Sequence, residues 1–242
     1  MTMKNFNRIP LPDWLCFTPV NSIPSITLNK NGSPTAVDIE YSKDGNEWWD
    51  YSIWWTMWLQ NWEKVYFRNK STSTTAFSTS TSNYYYFTIS GAVAVSWDIT
   101  YLLNKNGTDT LSWDCTFYKL FYNQTAITSC PKIPATTLTS HCYRLMFSGC
   151  TNLETIPNLP ATWALPIYCY MQMFSNCSKI KLSTTQTWEY QTEYRVPTSW
   201  TATSGTGSSN YMFSWTWWTF TWAGSNKVLN LNTTYYTSNT LV

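Results

Sequence analysis

Apolar and polar residues alternate in short runs along the first hundred positions. The clearest case is Val37, Ile39 and Tyr41, with Asp38 and Glu40 on the opposite side. A two-residue period is that of a half-buried β-strand. β-Branched and aromatic residues predict strands at Leu15 to Val20, Ser25 to Leu28, Val37 to Tyr41, Lys64 to Arg68, Tyr84 to Ile89 and Val93 to Tyr101. Turn signals separate them, among them Asn31-Gly32, Asp44-Gly45 and the Ser/Thr tract from Ser71 to Ser82. No helical pattern alternates with these strands, which argues against a parallel sheet. Short antiparallel strands at such spacing predict a β-sandwich-like module over residues 14–103.

Beyond a polar junction, Asn104 to Leu111, the chain repeats itself. Cys142, Tyr143, Met146, Phe147 and Cys150 recur as Cys169, Tyr170, Met173, Phe174 and Cys177, 27 residues on. A weaker copy precedes them at Cys115, Leu120, Phe121, Ile127 and Pro131. A degenerate one follows, with Val196-Pro197 and then Tyr211-Met212-Phe213-Ser214. CYxxMF puts Cys, Met and Phe on one face of a helix. TNLETIP suits a brief strand that points Leu153 and Ile156 inward. One such unit cannot bury its apolar face alone, whereas stacked units can, as in a solenoid. The expectation is a mainly β chain with short helices. Its β-sandwich-like module (14–103) is followed by a short irregular solenoid (104–200), then by a degenerate last repeat and cap (201–242).

The pattern LPATxLxxxCYxxMFxxCxxL resembles the BspA-type leucine-rich repeats of bacterial surface proteins and related phage proteins. The segment NGSPTAVDIEYSKDGNEW…KVYFRN is similar to the β-rich module that often precedes such repeats. Together the resemblance covers most of residues 14–238. It implies adhesion or recognition of a protein or glycan receptor, no enzymatic activity and no cofactor, and it supplies no binding residue. This sequence departs from the pattern in three ways. The second copy carries an extra residue, Pro166 stands where a helix should begin, and the last copy carries an insertion.

Composition narrows the function. Charged residues are 12% of the 242, against roughly 25% in soluble domains. A net charge of +2 provides no field for nucleic acid. Polarity comes instead from 38 threonines and 26 serines. No apolar run is long enough to span a bilayer. Met1 to Pro10 lacks the apolar core of a signal peptide, yet the composition suits an extracellular, cell-surface or virion protein.

Candidate chemistry is sparse. Equivalent cysteines of stacked repeats read as a buried ladder with Met and Phe: Cys142, Met146, Phe147, Cys150, Cys169, Met173, Phe174 and Cys177. Disulfides and a thiolate metal site are the alternatives, although no CxxC pair occurs. His141, the one histidine, adjoins Cys142 but has no orienting acid near it in sequence. Asp44, Glu47 and Asp50 form the densest acidic group, whose spacing fits a hairpin turn better than a calcium loop. No catalytic or metal site is picked out.

The 16 tryptophans outnumber the 8 glycines. Exposed Trp can stack on sugar rings, with one platform at Trp48, Trp49, Trp54, Trp55 and Trp58 and another at Trp215, Trp217, Trp218 and Trp222. Trp can also fill cores. A third reading has many of them at glycine's place, through decoding of UGA codons or by introduction on purpose. Met212-Phe213-Ser214-Trp215 aligns with Met146-Phe147-Ser148-Gly149, and Asn61-Trp62, Ser96-Trp97-Asp98 and Ser199-Trp200-Thr201 look like turns. Trp163 does not fit, because Thr137 is its repeat partner.

Overall fold

The computed structural model describes residues 13–161, 164–198, 201–216 and 229–242. They are mainly β, with 29% strand and 2% helix. A first sheet has six strands in the order β4-β3-β6-β1-β8-β9. These are β1 (Leu15–Pro19), β3 (Ile39–Ser42), β4 (Trp49–Asp50), β6 (Val65–Asn69), β8 (Val93–Ser96) and β9 (Ile127–Ser129). A second sheet has the order β5-β2-β7, from β2 (Ser25–Asn31), β5 (Thr56–Trp58) and β7 (Tyr84–Ser90). All their pairings are antiparallel except β8 with β9.

Alternation explains the second sheet. Ile26, Leu28, Tyr85, Phe87 and Ile89 are buried, and Phe87 meets Phe17 and Phe67 of the first sheet at 4.9 and 5.8 Å between ring centroids. The outer face carries hydroxyl and amide pairs across the strands. Ser25 meets Ser90 at 2.6 Å, Thr27 meets Thr56 at 2.8 Å, and Asn29 donates to Thr88 at 2.9 Å. Such cross-strand pairs give the abundant Ser and Thr a structural use.

The strand expected over Val93 to Tyr101 breaks at Trp97, whose φ is 67°. A 3-10 turn, Ile99–Leu102, follows, capped by the Asp98 side chain. It is the only helix among the described residues, so the short helices expected at CYxxMF are not formed. Each repeat is instead a ribbon of consecutive turns, and the reason lies in the backbone donors. The N–H groups of Tyr118, Leu120 and Tyr122 bond three residues back, while those of Phe117, Lys119 and Phe121 cross to the carbonyls of Cys142, Arg144 and Met146 in the next rung. An α-helix would need every N–H for its own i−4 carbonyl. A left-handed residue every fourth position turns the chain: 115, 119 and 123, then 141, 145 and 149, then 168, 172 and 176, then 207, 211 and 215.

Four rungs are joined this way, since 141–149 bond to 167–175 and 168–176 bond to 206–214. This register makes Thr116 the equivalent of Cys142; Cys115 falls beside His141, one position from where the repeat alignment puts it. Phe87, Phe121, Phe147, Phe174 and Phe213 stack in one column at 5.2–5.5 Å, with ring planes within 13°. Phe117, Tyr143 and Tyr170 form a second column. Through Phe87 the apolar core runs unbroken from the two sheets into the rungs.

The strands after each rung do not line up into a sheet of their own. β9 pairs with β8, β10 (Thr155–Ile156) with β14 (Thr240–Leu241), and β11 (Leu182–Ser183) with β13 (Thr234–Thr237). The edge strand β12 (Thr192–Arg195) completes the β11-β13-β12 sheet. Strands this short offer few ladder bonds, so β9 joins the first sheet and the returning C-terminal segment captures β10 and β11. No sheet of the described residues closes into a barrel or coils as a solenoid. Among the described residues no helix is long and apolar enough to cross a membrane.

Candidate recognition face

In every rung the residues at the Cys, Tyr, Met and Phe positions of CYxxMF point inward, and the two positions between Tyr and Met face outward. In chain order these pairs are Tyr118-Lys119, Arg144-Leu145, Met171-Gln172 and Asn210-Tyr211, of which Tyr118 is itself buried, with Tyr84, Lys119 and Arg144 around its ring. Strand β7 lies against the first rung through the bond from Phe87 N–H to the Leu120 carbonyl. Its outward Tyr84 and Tyr86 therefore continue the same face.

Two cations sit on this face among tyrosine rings. Lys119 Nζ lies 4.8, 5.4 and 5.9 Å from the ring centroids of Tyr122, Tyr118 and Tyr84. The Arg144 guanidinium lies 5.9 Å from Tyr118 and 5.8 Å from Tyr168. These distances are within reach of the attraction between a cation and an aromatic face. The two residues are neighbours in successive rungs, since Lys119 N–H donates to the Arg144 carbonyl at 3.1 Å. No carboxylate pairs with either side chain among the described residues, and Arg144 Nε is buried without a partner. The Tyr84 phenol is pushed up by burial, against which Lys119 pulls it down.

His141 borders this face, edge-on to Tyr168 at 5.1 Å. Burial and then Arg144 hold it below its ordinary value, with Asp114 opposing. The adjacent Cys142 thiol is raised well above its ordinary value by burial. That is the wrong direction for a nucleophile. All eight residues of the Cys, Met and Phe ladder are fully buried, and all seven cysteines are free thiols. The Cys150 and Cys177 thiols donate to the carbonyls of Phe121 and Phe147 in the preceding rung, each at 3.0 Å. Burial raises Cys130 and Cys169 to about 12.

The acidic group divides among separate tasks. Asp44 closes its own turn, accepting from the N–H groups of Asn46 and Glu47, and these bonds hold its carboxyl low. Asp50 pairs with Lys70 at 2.7 Å, and Glu47 is exposed.

The first tryptophan group does not form one surface. Trp49 and Trp55 are exposed and each meets Tyr41, at 5.6 and 5.3 Å, and Trp55 also meets Tyr51. Trp48 instead turns inward, edge-on to Trp14 at 4.7 Å. The Arg68 guanidinium lies 3.5 Å from the Trp48 ring and is paired to Glu40 at 2.5 Å. Trp58 projects from β5, while Trp54 has φ 78°. In the second group only Trp215 can be placed; Trp217, Trp218 and Trp222 lie outside the described residues, as do Trp163 and Trp200.

Trp215, at φ 58°, occupies the level of Asn123, Gly149 and Asn176, all left-handed. Glycine and asparagine suit that conformation, and tryptophan does not. Trp97 shares it, but Trp62 does not, so the glycine-like turn expected at Asn61-Trp62 is absent from the backbone. Glu63 closes that turn through its side chain on Gln60 N–H.

Comparison of the chain with protein-family models, with curated proteins and with solved structures finds no match. Sequence reasoning missed the cation–tyrosine face. The signal that points to it is the pair of variable positions inside CYxxMF, which carry Tyr118-Lys119 and Arg144-Leu145.

Proposed function

We propose that this chain is a non-catalytic recognition or adhesion protein of a bacterial surface or phage particle. In this reading residues 14–103 form a β-sandwich-like module, and the rungs form a short irregular stack of the leucine-rich-repeat type. The carrying observation is the outward face of the rungs, where Lys119 and Arg144, without a carboxylate partner among the described residues, stand among tyrosines on a cross-bonded backbone. A rigid scaffold with variable outward positions lets a binding surface change while the core holds its shape. The buried, raised thiols and the dispersed acids support a role without catalysis. Partners in this reading are a protein or glycan receptor and not nucleic acid, and the location is outside the cell or on a virion.

The test is binding of the whole chain to isolated bacterial envelopes, with the soluble fraction checked for released saccharide or peptide. Saturable binding without turnover is expected. Absence of binding, or turnover abolished by one carboxylate substitution, would overturn the reading. Exposed Trp49 and Trp55 around Tyr41 favour a second reading, a Trp-based carbohydrate-binding module. It expects Trp49→Ala with Trp55→Ala to abolish glycan binding. A structural spacer is the third reading, and it expects no envelope binding at all.

A further inference from the structure

We infer that the Lys119–Arg144 face binds an acidic saccharide, its anionic group held between the two cations and its ring faces laid on tyrosine. The inference rests on the recognition reading above and names the ligand chemistry of that face.

Three observations converge. Lys119 and Arg144 are half-buried and lack any carboxylate partner among the described residues, whereas the buried Arg68 is paired with Glu40. A cation held between rings has shed part of its water, which strengthens its attraction to an incoming anion. Arg144 is half-buried with its Nε shielded from solvent, so a bound carboxylate or sulfate would be met by the terminal N–H groups of the guanidinium. Tyr84, Tyr122 and Tyr168 surround the cations with flat apolar faces that end in hydroxyls. That combination matches a sugar ring, with its apolar C–H face and polar rim. Asp114, beside His141, marks the acidic edge and would repel an anion placed there. A polyphosphate chain needs a longer run of cations than two.

The experiment measures binding of carboxylated (oligogalacturonate) and sulfated (heparin-derived) oligosaccharides to the full chain by calorimetry, with maltooligosaccharide as the neutral control. Acidic probes should bind and weaken with added salt, and the neutral one should not bind. The carboxylated and sulfated arms identify which anion is preferred. Arg144→Gln and Lys119→Gln should each weaken binding about tenfold, the size of one charge-assisted hydrogen bond. Lys119→Arg should retain it, and melting curves verify that each variant is folded. Equal binding of neutral sugar, or acidic binding unchanged in the Arg144→Gln/Lys119→Gln double variant, would overturn the inference. Envelope binding that persists while no acidic probe binds overturns it too, yet leaves the recognition reading standing. Loss of both removes that reading as well.

Discussion

Trp215 closes the outermost described rung in a left-handed conformation, with 75% of its surface exposed. Its ring therefore adds little packing, while its Cβ strains the backbone. The left-handed conformation costs an L-residue about 1–2 kcal/mol. Glycine relieves that strain but gives up about 0.5–1 kcal/mol to the freer unfolded chain. Trp215→Gly should thus stabilise the fold by about 0.5–1 kcal/mol, a rise in Tm of about 2 °C for a chain of this size. Trp62 provides the control. It is 81% exposed but keeps an ordinary φ, so Trp62→Gly relieves nothing and should lower stability by about 0.5–1 kcal/mol. Thermal unfolding by circular dichroism, with urea midpoints at unchanged slope, measures both. Shifts of the same sign and size in the two variants would refute the reasoning. Trp54→Gly, at φ 78°, should follow Trp215→Gly. Peptide mass spectrometry of the protein from its own host should read glycine at 215. Tryptophan there would reject the decoding account of the excess and leave the stability difference to be judged by itself.

Phe147 lies between Phe121 and Phe174, both 5.5 Å away and nearly parallel, so Phe147→Ala should cost about 3–5 kcal/mol by denaturant unfolding. Glu40→Gln strands the buried Arg68 guanidinium and should cost about 3 kcal/mol, whereas Glu63→Gln, at the more exposed Lys43 pair, should cost at most about 1 kcal/mol. Similar losses in the two Gln variants would reject this contrast. Burial and Arg144 depress His141 below 6.5, so the unfolded chain takes up its proton first. Its contribution to stability is present above that value and is lost as pH falls through the folded value. Urea midpoints should decline between about pH 7.5 and about pH 5.5, less steeply in His141→Gln.

The first half of the fold was legible because its strands alternate. Five predicted strands coincide with β1, β2, β3, β6 and β7 to within a few residues, and the sixth starts with β8 but overruns it beyond Ser96. The two additional ones, β4 and β5, fall in the Trp48 to Trp58 segment, where aromatic residues are continuous and the period is lost. The repeat was legible as well, and Leu153 and Ile156 are buried, where that pattern puts them. The error lay in its backbone. Buried positions at 142, 143, 146, 147 and 150 fit an α-helix and also fit a ribbon that turns every four residues. Side-chain pattern alone does not separate the two. The first tryptophan group was misread for a related reason, because adjacency in sequence put Trp48 and Trp49 together although Trp48, just ahead of β4, packs on Trp14 and Arg68 while Trp49 meets Tyr41.

Where the apolar pattern alternates or repeats, the sequence by itself determined which side chains are buried, since burial there follows local period. It also marked Trp215 as out of place, since its alignment with Gly149 is read directly from the repeat, while Asn123 and Asn176 join that level through the rung register. Tertiary structure decided where the backbone donors go. A rung next door offers carbonyls at bonding distance, and half of the N–H groups cross to them instead of closing a helix. It also decided the cation–tyrosine face. Tyr84 comes from a strand, Lys119 from one rung and Arg144 from the next, and only the stacking of those elements brings them within about 6 Å of shared rings.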